Sequence, residues 1–145
     1  MMISTRGRYA LRVMIDLAER GGEGLVSMKS MAQSQQISLK YLEQIVPVLV
    51  RNSLIEGMQG RCGGYRLCRK PEDYPIGEIV RLTDDSPVVA CLAPGADACP
   101  RATQCRTLPL WTGLQRVVDD SLDGITLADL MQAAGDEPDC HRAGK

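Results

Sequence analysis

Apolar residues along most of this chain recur every three or four positions, the spacing of helices that bury one face. Over residues 5–19, Tyr9, Ala10, Val13, Met14, Leu17 and Ala18 line one side, while Leu11 and Ile15 form a second strip. A helix there touches two surfaces, with Thr5 as its cap and Gly21, Gly22 and Gly24 ending it. Ser27 opens a short helix, SMKSMAQS, with Met28 and Met31 on one side. After the turn QQI, Ser38 caps SLKYLEQIVPVLVRN. Leu39, Leu42, Ile45, Val46 and Leu49 are expected to face inward, leaving Lys40, Tyr41, Glu43 and Gln44 on the outer face. Pro47 removes a helical hydrogen bond, so a bend or early loosening is expected there.

The pattern then changes. LIEGMQ and YRLC flank the cluster Gly60-Arg61-Cys62-Gly63-Gly64, which reads as a β-hairpin about a glycine-rich turn. Two helices joined by a short turn and followed by a hairpin make a winged helix-turn-helix. Pro75 starts another helix, IGEIVRLTD, closed by Asp84-Asp85-Ser86-Pro87. Leu108, Trp111, Leu114, Val118 and Leu122, with Leu110 and Val117 beside them, give a long apolar-faced helix. Thr126 and Asp129 form a capping-box-like start to TLADLMQAA.

The fold class expected is therefore mainly α: a winged helix-turn-helix DNA-binding domain with a small β-hairpin wing and a long C-terminal dimerisation helix. The divisions expected are a DNA-binding domain over 1–85, a cysteine-rich loop over 86–107, a dimerisation helix with a short closing helix over 108–134, and a flexible tail over 135–145. A small headpiece cannot cover both apolar strips of the 108–122 helix, so pairing with a second subunit is the economical solution.

Composition sharpens this picture. With no Phe and one Trp, the core is aliphatic and filled by Met, which suits packed helices. The net charge of −1 conceals a basic first half (11 Lys+Arg against 5 Asp+Glu in residues 1–70) and an acidic second half (6 against 13). A basic domain suits a polyanion. No run is long enough to cross a membrane and no charged-then-apolar leader opens the chain, so a cytoplasmic protein is expected. With a single histidine near the end, and none of the phosphate-loop, serine-elbow or zinc-protease motifs, general acid–base catalysis has little to draw on.

Two sets of residues can carry chemistry. On the recognition helix, Gln44 can read adenine, Ser38 can donate to phosphate or base edges, Tyr41 can reach phosphate and Lys40 supplies charge; Arg61 at the wing tip can approach the minor groove. Glu43 can accept from cytosine or repel a wrong sequence. The plain alternative is an ordinary polar helix face. The second set is Cys91, Cys99 and Cys105 in CLAPGADACPRATQC. Soft thiolates on a pliable loop suit iron–sulfur ligation, and their wide spacing, with no C-x-x-C pair, argues against a zinc ribbon. Three thiols leave one ligand short of four. Buried or idle thiols are the alternative. Cys62 and Cys68, flanking the wing strand, read as incidental thiols, with oxidation or a cross-hairpin disulfide as the sharper option. Cys140 and His141 stand together in the tail and could complete a metal site.

STRGRYALRVMIDLA, ISLKYLEQIVPVL, GRCGGYRL, IGEIVRLTDD and the three cysteines followed by LW resemble, in order, the Rrf-type family of bacterial transcriptional regulators. The resemblance runs from Met1 to about Ala134 and is nearest the family's cluster-binding branch. It implies a homodimer with a cluster near the subunit interface, held by Cys91, Cys99 and Cys105. It also implies a DNA-reading surface of Ser38, Tyr41, Gln44 and the wing. The places where related branches carry a further ligand, a histidine or an acid, hold Leu108 and Arg8 here, and the first cysteine interval is longer than the family's usual one. Fourth ligand and cluster type, two-iron or four-iron, stay open.

The function expected is a homodimeric, DNA-binding regulator whose operator affinity is tuned by an iron–sulfur cluster. The alternative is a cluster-free winged-helix regulator controlled by thiol oxidation or by docking of a partner protein; a module whose winged helix recognises protein instead of DNA is a third possibility.

Overall fold

A computed structural model describes residues 3–21, 24–84 and 87–133. In chain order they form α1 (Thr5–Glu19), α2 (Met28–Gln35), α3 (Leu39–Arg51), β1 (Ile55–Met58), β2 (Gly64–Leu67), α4 (Ile76–Thr83), α5 (Leu108–Asp123) and α6 (Leu127–Ala133). The expected order of helices and hairpin is thus present.

The helix starts follow local chemistry. Ser27 and Ser38 cap α2 and α3 as their sequence positions suggest, each hydroxyl accepting a backbone N–H three residues on. For α1 the cap is Ser4 and not Thr5: Ser4 has extended backbone and its Oγ accepts from Gly7 N–H at 3.2 Å, while Thr5 is already helical. Pro47 does not end α3, which continues to Arg51. An acid completes the reciprocal cap of α6, where Thr126 N–H donates to Asp129 at 2.8 Å and Asp129 N–H donates back at 3.2 Å.

α1 runs through the centre of the headpiece and touches α2, α3, α4, α6 and β2. The core it organises includes Val13, Met14, Leu17, Met31, Leu42, Ile45, Leu49, Ile79 and Leu127. This face burial is the dominant stabilising term, about 1.5–3 kcal/mol for each large side chain removed from water. Asp16 is also buried, where it accepts from Arg20 at 2.6 Å and Ser34 at 3.0 Å, tying α1 to α2. A buried carboxylate is tolerable only with such partners.

β1 and β2 pair antiparallel, with Ile55 opposite Leu67 and Met58 opposite Gly64. Val26 forms an isolated antiparallel bridge to β2, exchanging two backbone bonds with Tyr65 at 2.8 and 2.9 Å. Gly64 permits this, since a Cβ there would lie 2.7 Å from the Val26 carbonyl. The base of the wing is fastened by Tyr74. Its ring is fully buried and its hydroxyl donates to Leu54 O at 2.6 Å while accepting from Cys68 N–H and Arg69 N–H.

α5 departs from this body and α6 returns to it. Leu127 N–H bonds Tyr74 O at 2.9 Å and Ile76 N–H bonds Ile125 O, so the closing helix completes the headpiece core. No described helix is long and apolar enough to cross a membrane.

Candidate DNA-reading surface and cysteine segment

The start of α3 presents the residues expected to meet a duplex. Ser38 is exposed; its Oγ accepts from Tyr41 N–H at 3.2 Å, which leaves the hydroxyl proton free to donate outward. Lys40, Glu43 and Gln44 are exposed on the following turns. Leu39 departs from expectation: it is 46% exposed, not inward. The residue just past a cap leans back toward the helix N-terminus, beyond the edge of a core that begins at Leu42. Tyr41 is half-buried, its ring packed edge-on against Tyr9 of α1 at 5.3 Å and 75°. Tyr9 in turn lies under the Arg12 guanidinium at 5.2 Å, and Arg12 donates to both the carbonyl and the side chain of Gln35 at the end of α2.

In the wing, Arg61 is exposed within a turn closed by Gly63 N–H to Gly60 O at 3.0 Å. Gly60 has φ +121°, a value that excludes most side chains. Glu56 and Arg66 pair across the strands. Cys62 and Cys68 are free and exposed, and partial burial, followed by the charge of Glu56, raises the Cys68 thiol above its ordinary range.

The cysteine segment has no regular structure beyond single 3-10 turns at Ala90–Leu92 and Ala102–Gln104. It is anchored where Val88 N–H donates to Gln115 of α5 at 2.7 Å. Cys91 and Cys99 are exposed and Cys105 is half-buried, all as free thiols. Cys105 Sγ faces the Thr107 hydroxyl at 3.4 Å, and that contact lowers its pKa. The donor set fits an iron–sulfur cluster by its softness, but the thiols are not gathered: among the described residues no three His, Cys, Asp or Glu side chains stand close enough to hold a metal ion. Leu108, at the head of α5, brings no ligand. Cys140 and His141 lie outside the described residues.

Apolar spacing places Tyr9 on the buried face of α1 but gives no sign of its ring contact with Tyr41, nor of the contacts of Arg12 and Tyr74. Tyr74 leaves no periodic signal, since it precedes a helix. Arg12 carries no local signal, and only its three-dimensional position beside Gln35 reveals its contacts.

A capped second helix presenting a polar face, beside a glycine-tipped hairpin, defines a winged helix-turn-helix DNA-binding protein. A family model described as an iron-dependent transcriptional regulator, Rrf2, matches residues 3–133. The chain belongs to the Rrf2 family and is a DNA-binding transcriptional regulator, not an enzyme. It is 37% identical over 131 residues to the HTH-type transcriptional regulator IscR of Aliivibrio salmonicida, covering 90% of this chain and 77% of that one. Its fold is similar to T. potens IscR, with TM-score 0.72 and 35% identity over 92% of this chain and 88% of that one. CymR, the global cysteine regulator of B. subtilis, gives TM-score 0.72 and 36% identity over 91% and 97%.

Proposed function

We propose that this regulator acts as a homodimer whose operator affinity is set by an iron–sulfur cluster held by Cys91, Cys99 and Cys105. In this reading residues 1–85 form the reading domain with Ser38, Lys40, Tyr41, Gln44 and Arg61 as its DNA contacts, and 86–107 is the sensing loop. The carrying observation is the placement of three accessible thiols on one irregular segment strung between the headpiece and α5. A pliable segment can draw its thiols together without unfolding a helix. The bound cluster supplies an inorganic centre that responds to iron supply, oxidants or nitric oxide. The iron-dependent family description and the likeness to IscR add support.

Dimerisation rests on α5. None of its residues is buried, and Leu110 and Val117 are 61% and 65% exposed on a helix with an apolar face. So much uncovered apolar surface marks a contact site, and a second copy of the helix would cover it.

Anaerobic reconstitution with iron and sulfide tests the cluster. The wild-type chain is expected to turn brown with near-stoichiometric iron and sulfide, and the triple Cys→Ser variant at 91, 99 and 105 to remain colourless. A colourless wild type removes the cluster from the account.

A second reading is favoured by the same segment. Separated, accessible thiols, one with a lowered pKa, also suit a cluster-free oxidation switch, and the likeness to CymR is compatible with it. Under that reading metal content stays at background while oxidant changes operator affinity.

A further inference from the structure

The angle between α2 and α3 aims the reading helix, and only Gln36, Ile37 and Ser38 separate the two. Gln36 sits at φ 52°, ψ 43°, a left-handed conformation that a residue with a side chain seldom holds without support. The last turn of α2 contains no basic residue, although the end of a helix exposes unpaired carbonyls and a partial negative charge. Arg12 meets this helix end from α1. Its Nη2 donates to Gln35 O, one of those unpaired carbonyls, and its Nε donates to Gln35 Oε1 at 3.3 Å. The same guanidinium lies over Tyr9, whose ring meets Tyr41 in the first turn of α3. One side chain on α1 therefore grips the end of α2 directly and the start of α3 through a ring pair.

We infer that Arg12 is a positioning residue for DNA recognition: it caps α2 from outside and, with Tyr9, fixes the orientation in which Ser38, Lys40 and Gln44 meet the operator. This role rests on the DNA-reading surface proposed above. A lysine cannot replace it. A single ammonium has no planar fork to engage both Gln35 oxygens while stacking on a ring. Charge alone does not describe the contact, because Nε and Nη2 both donate to Gln35.

The test compares the wild-type chain with Arg12→Lys and Arg12→Met on two duplexes of equal length. One is recovered from a random pool by the wild-type protein and the other is unrelated. Misaimed contacts cost sequence reading while leaving general phosphate attraction intact. Both variants are expected to bind the selected duplex about tenfold more weakly, in the range of one impaired base contact, and the unrelated duplex within about twofold of wild type. The slope of log affinity against log salt stays unchanged. Gln35→Ala is expected to show a smaller loss in the same direction, and none when added to Arg12→Met, because the pair acts as one unit.

Three results overturn the role. Full rescue by Arg12→Lys, with a slope reduced by about 0.9 in Arg12→Met, would make Arg12 a direct phosphate contact. Equal losses on both duplexes, in step with a lowered melting temperature, would make it merely structural. Unchanged binding of both duplexes by both variants would leave it no part in recognition. If the wild-type chain binds neither duplex, the DNA-reading surface itself fails and this role falls with it.

Discussion

Tyr74 shows how much one side chain can hold. Its hydroxyl satisfies Leu54 O and two backbone N–H groups at the foot of the wing, and Arg69 stacks on its ring at 4.3 Å. Tyr74→Phe keeps the ring and strands those groups, so it is expected to cost about 2 kcal/mol in denaturant unfolding. Burial raises the Tyr74 phenol above its ordinary value, ahead of the opposing hydrogen bonds. A raised folded pKa means that this contribution is complete below the unfolded value of about 10 and is lost as pH rises through the folded one. The alkaline fall in stability should therefore be shallower in Tyr74→Phe; parallel curves would contradict it. Cys105 offers the opposite shift. Facing Thr107, its thiolate forms at lower pH, whereas the Cys68 thiol is pushed up by burial. In alkylation near neutral pH followed by peptide mapping, Cys105 is expected to react before Cys68, and Thr107→Val to slow it. Of these features, the caps at Ser27 and Ser38 were legible in sequence because capping is local. Leu39 was misread since periodicity gives a face but not where the core ends, and Arg12 was invisible because its partner is 23 residues away.

At the level of elements, the sequence read well wherever apolar spacing settled the matter. α1, α3, α5 and the hairpin occur close to where their patterns place them. α3 runs through Pro47 to Arg51, as its apolar spacing predicts, held by Val46 and Leu49 in the core, because packing outweighs one missing hydrogen bond. One feature escaped. The closing helix belongs to the headpiece, for its ties to Tyr74 and Ile76 are long-range backbone bonds that no local pattern encodes. The apolar face of α5 carries its own prediction. Val117 is exposed, so Val117→Glu leaves the headpiece fold intact while placing a charge in the proposed pairing surface. Sedimentation should then give the mass of one chain where wild type gives two, with unchanged far-ultraviolet circular dichroism. A variant that still sediments as a dimer would move the interface elsewhere.

Over the whole molecule, the charge split follows the architecture. The basic half holds α1 to the wing, and the acidic half holds the cysteine segment and α5, whose Asp119 and Asp123 face Arg81 of α4. Those exposed pairs are worth little individually, but together with the Val88–Gln115 bond they join α4, α5 and the cysteine segment. The sequence offers three thiols in the cysteine segment as candidate donors but not their arrangement, since a stretch rich in Gly, Pro and Ala has no periodic face to fix it. What links the two halves in this account is a difference in operator affinity between cluster-loaded and cluster-free protein. That requires two states with distinct contacts at both sites. The most direct measurement is an anaerobic titration of one selected duplex with reconstituted protein and with the same preparation stripped of iron. The account predicts affinities that differ by about tenfold or more, a coupling within the usual range, and a difference that vanishes in the triple Cys→Ser variant. Superimposable curves for loaded and stripped wild-type protein would contradict it.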